Sequence, residues 1–514
     1  VGLSAIWRIA RAGYVLAREG AFAITEGQDL PAGARRMIGF ARLIERRSVR
    51  KTGRVERLAR ALERLGPTYV KLGQLLGTRP DIVGPAIAED LSGLQDRMPP
   101  FDPKLVPGML NKALGETAAA QLTEISEPIA AASIAQVHKA VLVNGDGASV
   151  TVAVKLLRPD IEDRFRRDLE AVMTLAKLAE RFSKPSRRLR PVDTALTLER
   201  TAVLEMDLRL EAAAMSQMAE NIEGHDGFAV PKPFWQHTAR NVLVTEWFDG
   251  IPIRDNDALD AAAIDRPELA RELLQHFLRH AIEDGFFHAD MHPGNLFVEA
   301  STGTIRAVDF GIMGRIGKTE QRFLAEVLYG FITRSYRRIA QLHIDIGYVP
   351  DHHDVEDFAQ ALRAIGEPLH GRKASEISMA RVLAQLFEVT ELFDMKTRTE
   401  LVLLQKTMVL VEGVARHIDP NVDFWTTAEP VVGPWVRRQL GPAGMIEKAA
   451  DTLRDVGEAA RKLPQLISRY EAMLEEAEAQ RRAPPPVYLR GWFAGLTVIT
   501  LVLLLLAALK TVLT

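Results

Sequence analysis

The sequence predicts an α+β fold in which two groups of short strands sit among long helices, and three patterns carry that expectation. Between about residues 120 and 155 the pattern reads as short strands, interrupted by the turn signal Asn144-Gly145-Asp146-Gly147. Around residues 286–311 three short apolar runs, Phe286-Phe287, Leu296-Phe297-Val298 and 305–308, are separated by polar loops. Residues 320–480 are mostly helical by period, with breaks expected near Gly347, Pro368, Pro420 and Pro434. At 514 residues and 47% hydrophobic content, the chain can build two to four units around sizeable cores. A net charge of -2 gives no footprint for nucleic acid. The absence of cysteine excludes disulfides, thiolate metal sites, Fe–S clusters and cysteine nucleophiles.

Residues 1–25 place Leu3, Ile6, Trp7, Ala10, Tyr14 and Val15 among arginines, the pattern of an amphipathic helix. Such a helix packs on the body or, as the sharper reading, lies on a membrane surface. Arg8 and Arg11 interrupt it, so no secretory signal peptide is expected. A helix from about Arg54 to Leu65 should stop at Gly66-Pro67, and Pro67 suits the first position of the next. That next helix carries Lys71 and Gln74, which share a face. A further helix is expected near 85–96.

The alternating region reads as a strand at 122–125, a small-residue stretch at 130–138, a strand at 140–143, a turn, and the β-branched strand Thr151-Val152-Ala153-Val154-Lys155. A strand lysine is ordinarily a surface residue. Here V-A-V-K matches the strand lysine that neutralises nucleotide phosphates in phosphotransferases. Ala131, Ala132 and Ser133 stand where that template has a glycine-rich loop over the phosphates. Alanine restricts φ where glycine does not, so a stiffer cover is expected. A charged helix at 161–182 and a second at about 193–222 follow. The second offers Glu205, Asp207 and Glu211. Glu205 and Glu211 are six apart on one regular helix, so only one can face Lys155, and the pattern does not choose. Glu246-Trp247-Phe248-Asp249-Gly250 reads as a hinge, with adenine contacts at Glu246 and Phe248.

The strongest signal is His288-Ala289-Asp290-Met291-His292-Pro293-Gly294-Asn295 followed by Asp309-Phe310-Gly311. Any Asp-Phe-Gly alone is an ordinary turn. A loop Asp, an Asn five residues on, and the Asp of D-F-G, in order behind a strand lysine, form the phosphotransferase template. Asn295 and Asp309 supply oxygen ligands of the kind Mg²⁺ takes, and Asp290 is placed as base. His292 either orients the loop or acts as acid and base. A helix begins near Glu320, which leaves no room for a long peptide-docking segment. His352 and His353 between Asp351 and Asp354 resemble a metal cluster on paper, but their polar setting after Pro350 reads as a loop or helix cap. Near the C-terminus a charged helix (471–482) and Pro484-Pro485-Pro486 precede residues 491–509, nineteen uncharged residues. As helix these span about 28 Å, close to a ~30 Å hydrocarbon core. Arg481, Arg482 and Arg490 on the N-terminal side put the body on the cytoplasmic face.

Together, K71-L-G-Q74, A131-A-S-I-A-Q-V-H138, V152-A-V-K155, E205-M-D207, H288-A-D-M-H-P-G-N295 and D309-F-G311 resemble the UbiB family, also called ABC1 or ADCK, of atypical kinase-like proteins. The resemblance covers roughly residues 55–345. It implies a protein-kinase-like two-lobe fold with a helical N-terminal extension, binding of ATP or ADP with Mg²⁺, ATPase-type activity, and a part in ubiquinone biosynthesis at a membrane. It further implies that the Lys71 helix covers the site with Lys71 and Gln74 beside Glu205 and Asp207, as regulatory residues, which leaves Glu211 for Lys155. Leu208 and Met215 depart from the family's aromatic and Asn at those positions.

The expected organisation is an extension at 1–110, an N-lobe at 111–248, a helical C-lobe at 249–470, a linker at 471–490 and a transmembrane helix at 491–514. The expected function is a single-pass, membrane-anchored, kinase-like ATPase at the inner (cytoplasmic) membrane. It would act on or present polyprenyl quinone intermediates, with membrane lipids and other quinone-biosynthesis proteins as partners and no nucleic acid. A homodimer through the span is compatible with the sequence. The alternatives are a small-molecule or lipid phosphotransferase and a nucleotide-gated scaffold. A hydroxylase finds no haem or Fe–S ligation and no flavin loop.

Overall fold

The computed structural model describes residues 3–22, 54–77, 98–143, 147–182, 190–369 and 399–440, with isolated positions between these stretches. Contacts divide the chain into Val1–Val436 and Arg437–Thr514. The described elements belong to the first unit, except that its last helix runs on to Leu440. Among the described residues no helix is long and apolar enough to cross a membrane. The predicted span at 491–509, the linker before it and most of the helix expected near 85–96 lie outside the described residues.

Helix α1 (Leu3–Arg18) lies on the body: Ala12 and Ala17 are buried, while Trp7 and Tyr14 stay exposed. Its Arg8 pairs with Asp168, a buried carboxylate that also accepts from Thr68 Oγ1 at 3.2 Å. A buried charge needs such partners, so Asp168 fastens the extension to the body. Helices α2 (Arg54–Leu65) and α3 (Pro67–Gly77) meet at Gly66, whose φ of +111° favours glycine, and Pro67 opens α3. Leu62, Leu65, Tyr69 and Val70 close a small core there.

The N-lobe starts with α4 (Val106–Leu114) and α5 (Glu116–Ala120), so the expected boundary at 110 falls inside a helix. Strands β1 (Leu122–Thr123), β2 (Ala130–Ala131), β3 (Ala135–Val143) and β4 (Ser149–Leu157) follow. Helix α6 covers Ile161–Phe182. The single helix expected over 193–222 is instead two, α7 (Pro191–Glu205) and α8 (Leu208–Asn221). The break has a local cause: Asp207 is extended and its side chain accepts from Arg209 N, capping α8. Leu208 N is also drawn off to Arg240 O at 2.9 Å. Strands β5 (Phe228–Ala229) and β6 (Val242–Glu246) complete this part.

The main sheet has the antiparallel order β1-β3-β4-β6, with β2 also on β3. Val152, Val154 and Leu156 point into a core shared with Val106, Leu110, Val242 and Val244. Because side chains alternate along a strand, Lys155 must point to the opposite face.

The C-lobe runs through β7 (Ile251–Pro252), α9 (Asn256–Ala261) and α10 (Arg266–Arg279), with Asp255 and Asp265 capping the two helices. A π turn over His280–Asp284 leads to β8 (Phe286–His288), β9 (Leu296–Val298), β10 (Ile305–Ala307) and β11 (Met313–Arg315). Strand β5 runs parallel to β10 in the order β5-β10-β9-β7, and β11 returns antiparallel onto β8. Helices α11 (Lys318–Ile332), α12 (Tyr336–Asp345), α13 (Val355–Gly366), α14 (Thr399–Ile418) and α15 (Phe424–Leu440) complete the body. Gly314 lies flat against the Phe287 ring, where an added Cβ would stand 2.1 Å from its tip, so only glycine fits. The break expected near Pro434 is absent: α15 carries both Pro430 and Pro434. Each interior proline costs ~3 kcal/mol in an isolated helix. Here Val431, Val432, Trp435 and Val436 are buried in the main core, at ~1.5–3 kcal/mol for a fully buried large side chain, and tertiary packing wins.

Candidate functional site

Three chain segments converge on one cleft. Strand β4 presents Lys155, the first turn of α8 presents Glu211, and the loop after β10 presents Asp309. Lys155 Nζ lies 2.8 Å from Glu211 Oε1 and 2.9 Å from Asp309 Oδ1. Burial opposes the charge on Lys155, but Asp309 and Glu211 outweigh it and push the pKa up, so the group stays an ammonium. Burial likewise works against Asp309, yet Lys155 holds its carboxyl down to about 2. Glu211 is pushed up by burial, with Lys155 offsetting only part of it. One ammonium therefore serves two carboxylates, leaving one negative charge in excess. The more open of the two is Asp309, its side chain 47% exposed. It sits at φ +62°, a left-handed conformation that Asp tolerates better than most residues.

The loop between β8 and β9 supplies the other groups. Asn295 is buried, and its Nδ2 donates to the Asp290 carbonyl at 3.0 Å. That leaves Oδ1 as the atom available to a cation. An amide oxygen and a carboxylate form the hard donor set Mg²⁺ takes, so the residues fit that ion. His288 is fully buried: its Nδ1 accepts from Asp290 N at 3.1 Å and its Nε2 donates to Val308 O at 3.2 Å. Burial lowers its pKa, which keeps the ring neutral and suited to that pairing. It ties the Asp290 loop to the strand ahead of Asp309. In the same way His292 Nδ1 accepts from Gly294 N at 2.9 Å, so its proton sits on Nε2, 3.8 Å from Asp290 Oδ2.

The alanine loop is pinned. Ala132 N donates to Ala135 O, and Arg158 donates to the Ala132 carbonyl from Nε at 3.0 Å and Nη2 at 2.8 Å. Ala131 O accepts from Met98 N, and Ser133 is fully buried. Gln136 and His138 of the same motif are structural. Gln136 Oε1 accepts from Phe101 N, and its Nε2 donates to His138 Nε2, whose Nδ1 donates to Ser126 O. Glu246 ends β6 opposite Val152, and Phe248 stacks edge-on to Phe297 under the Arg306 guanidinium. Both therefore line the connection from the sheet to the C-lobe.

On α3, Lys71 Nζ pairs with Glu205 Oε2 at 2.7 Å, and Gln74 lies one turn on, half-buried. Asp207 does not join them. Its carboxylate is spent on Arg209, with contacts of 2.8 and 2.6 Å, which lowers its pKa, and on capping α8. The nearer cation, two residues away, takes the Asp207 carboxylate.

Sequence reasoning missed Arg158 and Thr407. Arg158 follows the strand lysine by three residues, and nothing in its spacing signals a loop carbonyl as partner. Thr407 on α14 is fully buried, and its one hydroxyl proton is shared between the Leu403 carbonyl of its own helix at 2.9 Å and the Ala289 carbonyl at 3.1 Å, so α14 reaches the Asp290 loop through a shared bond. Asp290 is also the carboxylate whose field reaches the adjacent Lys406.

Comparison with known proteins gives the family and the fold. Residues 93–343 match the ABC1 atypical kinase-like domain and residues 362–423 match the UbiB helical domain. A probable protein kinase UbiB from Marinobacter nauticus is 40% identical over 442 residues, which is 84% of this chain and 80% of that protein. The solved complex of Rv3197 with erythromycin from Mycobacterium tuberculosis overlays with a TM-score of 0.52 at 23% identity. It covers 71% of this chain and 92% of that one, and at this identity the likeness speaks for the fold.

Proposed function

The chain belongs to the UbiB family of ABC1 atypical kinase-like proteins, and from that premise we propose that it is a Mg²⁺- and ATP-dependent phosphohydrolase serving ubiquinone biosynthesis. The observation that carries the reading is the Lys155 ammonium held between Glu211 and Asp309. In this reading Glu211 positions Lys155, and Lys155 neutralises the nucleotide's phosphates. Asp309 and the Asn295 carbonyl oxygen hold Mg²⁺, which supplies charge neutralisation on the phosphates when bound. Asp290 orients or deprotonates the attacking group, with His292 Nε2 3.8 Å from its Oδ2. Ala131, Ala132 and Ser133, braced by Arg158, cover the phosphates, while Glu246 and Phe248 flank the adenine. Lys71, paired with Glu205 at the end of α7, and Gln74 lie on the helix that regulates access, and Asp207 shapes the start of α8.

Ordinary protein kinase chemistry is disfavoured by the short path from Gly311 to α11, because β11 is taken up at once by pairing with β8. A lipid substrate fits the apolar residues 491–509 as a membrane anchor, with the body on the cytoplasmic side. Nucleotide turnover then drives extraction or presentation of a polyprenyl intermediate. Asp309→Asn is expected to abolish Mg-ATP turnover, and retained turnover would overturn the assignment. A second reading, phosphoryl transfer to a small molecule or lipid, is favoured by the open Asp290 carboxylate, its side chain 40% exposed. Labelled phosphate moving from ATP into a lipid extract would select it, and free phosphate alone would reject it.

A further inference from the structure

Away from the cleft, His352, His353 and Asp394 bring one ligand atom each to within 4.8 Å of one another. We infer that they form a binding site for a transition-metal dication of the Zn²⁺ class, which clips the chain ahead of α14 to the turn ahead of α13.

The geometry is close to what such an ion requires. Metal–ligand bonds near ~2.05 Å at tetrahedral angles place neighbouring ligand atoms about 3.3 Å apart. His353 Nε2 lies 3.3 Å from Asp394 Oδ2, and His352 Nε2 lies 4.0 Å from the same oxygen. The second separation is too long for a hydrogen bond, so Asp394 cannot satisfy both imidazoles by itself. Two rings 4.2 Å apart nonetheless present their nitrogens to one carboxylate. His353 is anchored and hydrogen-bonded to Asp394, and His352 is left to close. The His353 ring packs edge-on to Phe393 at 5.3 Å, and Phe393 packs on the fully buried Phe358. The side chains of His352 and Asp394 are 65% and 70% exposed, so closing the last ångström needs only their rotation. Asp394 sits at φ +48°, a conformation that turns the chain back at this point. Asp354, the nearest other carboxylate in sequence, is committed to capping α13 through Glu356 N and Asp357 N.

The donor set selects the ion. Two imidazole nitrogens and one carboxylate oxygen suit zinc and its neighbours rather than Mg²⁺ or Ca²⁺. Three protein ligands leave the fourth position to water. The segment so clipped leads into α14, whose Thr407 holds the Ala289 carbonyl. The ion therefore stiffens the approach to a helix that braces the Asp290 loop, without touching the cleft.

The test uses the full chain with zinc chloride, measuring binding by chelator competition and the melting temperature, for wild type, His352→Ala and Asp394→Asn. Both replaced side chains are exposed, so neither variant endangers folding. Wild type is expected to bind one zinc more tightly than either variant, by about tenfold or more for the loss of one of three ligands. Zinc should raise the melting temperature of wild type alone, and Co²⁺ should give wild type a tetrahedral visible absorption that both variants lack. Equal zinc affinity and equal thermal response in all three proteins would overturn the site, as would a wild type that zinc neither binds nor stabilises.

Discussion

Replacing Lys155 by Met is expected to destabilise the protein in a pH-dependent way, because it leaves two carboxylates facing each other. Lys155 is 2.8 Å from Glu211, and their side chains are only 15% and 6% exposed. Removing one partner of a buried pair costs ~3–5 kcal/mol, since the remaining charge is uncompensated. At about 2.1 cal/mol/K of unfolding entropy per residue, a unit spanning Val1–Val436 converts ~4 kcal/mol into a fall of roughly 4 °C in melting temperature. The loss should fade in acid. Burial already raises the Glu211 pKa, and removing Lys155 raises it further. A carboxyl whose folded pKa lies above its unfolded value of ~4.3 keeps its proton in the native state over a range where the unfolded chain has lost it. The native state is thus penalised increasingly as pH rises from that value and is spared below it. The melting-temperature deficit against wild type should therefore be near its full size at pH 8 and small near pH 4.5. Adding Glu211→Gln should recover most of the deficit at pH 8. A deficit that is the same at both pH values, and that the second substitution leaves in place, would refute the charge argument and point to lost packing of the lysine stem.

Three further outcomes follow from the same structure. Arg158→Ala should leave the fold intact but loosen the alanine cover, seen as roughly tenfold weaker binding of a fluorescent ATP analogue; Arg158→Lys should not rescue it, because an ammonium lacks the planar fork that grips the Ala132 carbonyl. Thr407→Val keeps volume and removes the hydroxyl shared between Leu403 and Ala289, which leaves the Ala289 carbonyl without that donor, so kcat should fall with the KM for ATP nearly unchanged, and a change in KM alone would contradict it. Burial lowers His276 to about 4 and His280 to about 3, with Arg279 and His225 adding to both and His276 and His288 adding to His280. Their stabilising contribution is complete above ~6.5 and is lost as pH falls toward those values, by roughly 2 kcal/mol for each ring at pH 5. The double variant His276→Leu/His280→Leu should show a flatter denaturation midpoint between pH 7 and pH 5, and an unchanged slope would reject the account.

What the sequence conveys about this site is divided by the range of the interactions involved. Period-two alternation turns Lys155 away from Val154 and Leu156, so the lysine's face could be read from four consecutive residues. The spacing from Asp290 to Asn295 and on to Asp309 is set by two short strands and a turn, again local, and the α+β kinase-like fold with its family was legible from those motifs. Choosing between Glu205 and Glu211 was beyond the periodicity because the supposed single helix is broken at Asp207. The break changes the angular relation between the two carboxylates, and beside the Asp207 cap it gives Leu208 N a partner in Arg240 O, more than thirty residues downstream. Pro434 fails as a helix stop for a similar reason, since its cost is local and the burial of Val432 and Val436 that offsets it is not. The bond from Thr407 to Ala289 joins residues 118 positions apart, and the meeting of His353 with Asp394 joins residues 41 apart. Neither has a periodic or spacing signature, because a hydroxyl on a helix and an aspartate in a turn look the same whether or not the fold brings them a partner. The cleft's charges are thus written in short motifs, while the bonds that hold those motifs at working distance exist only once the helices have packed.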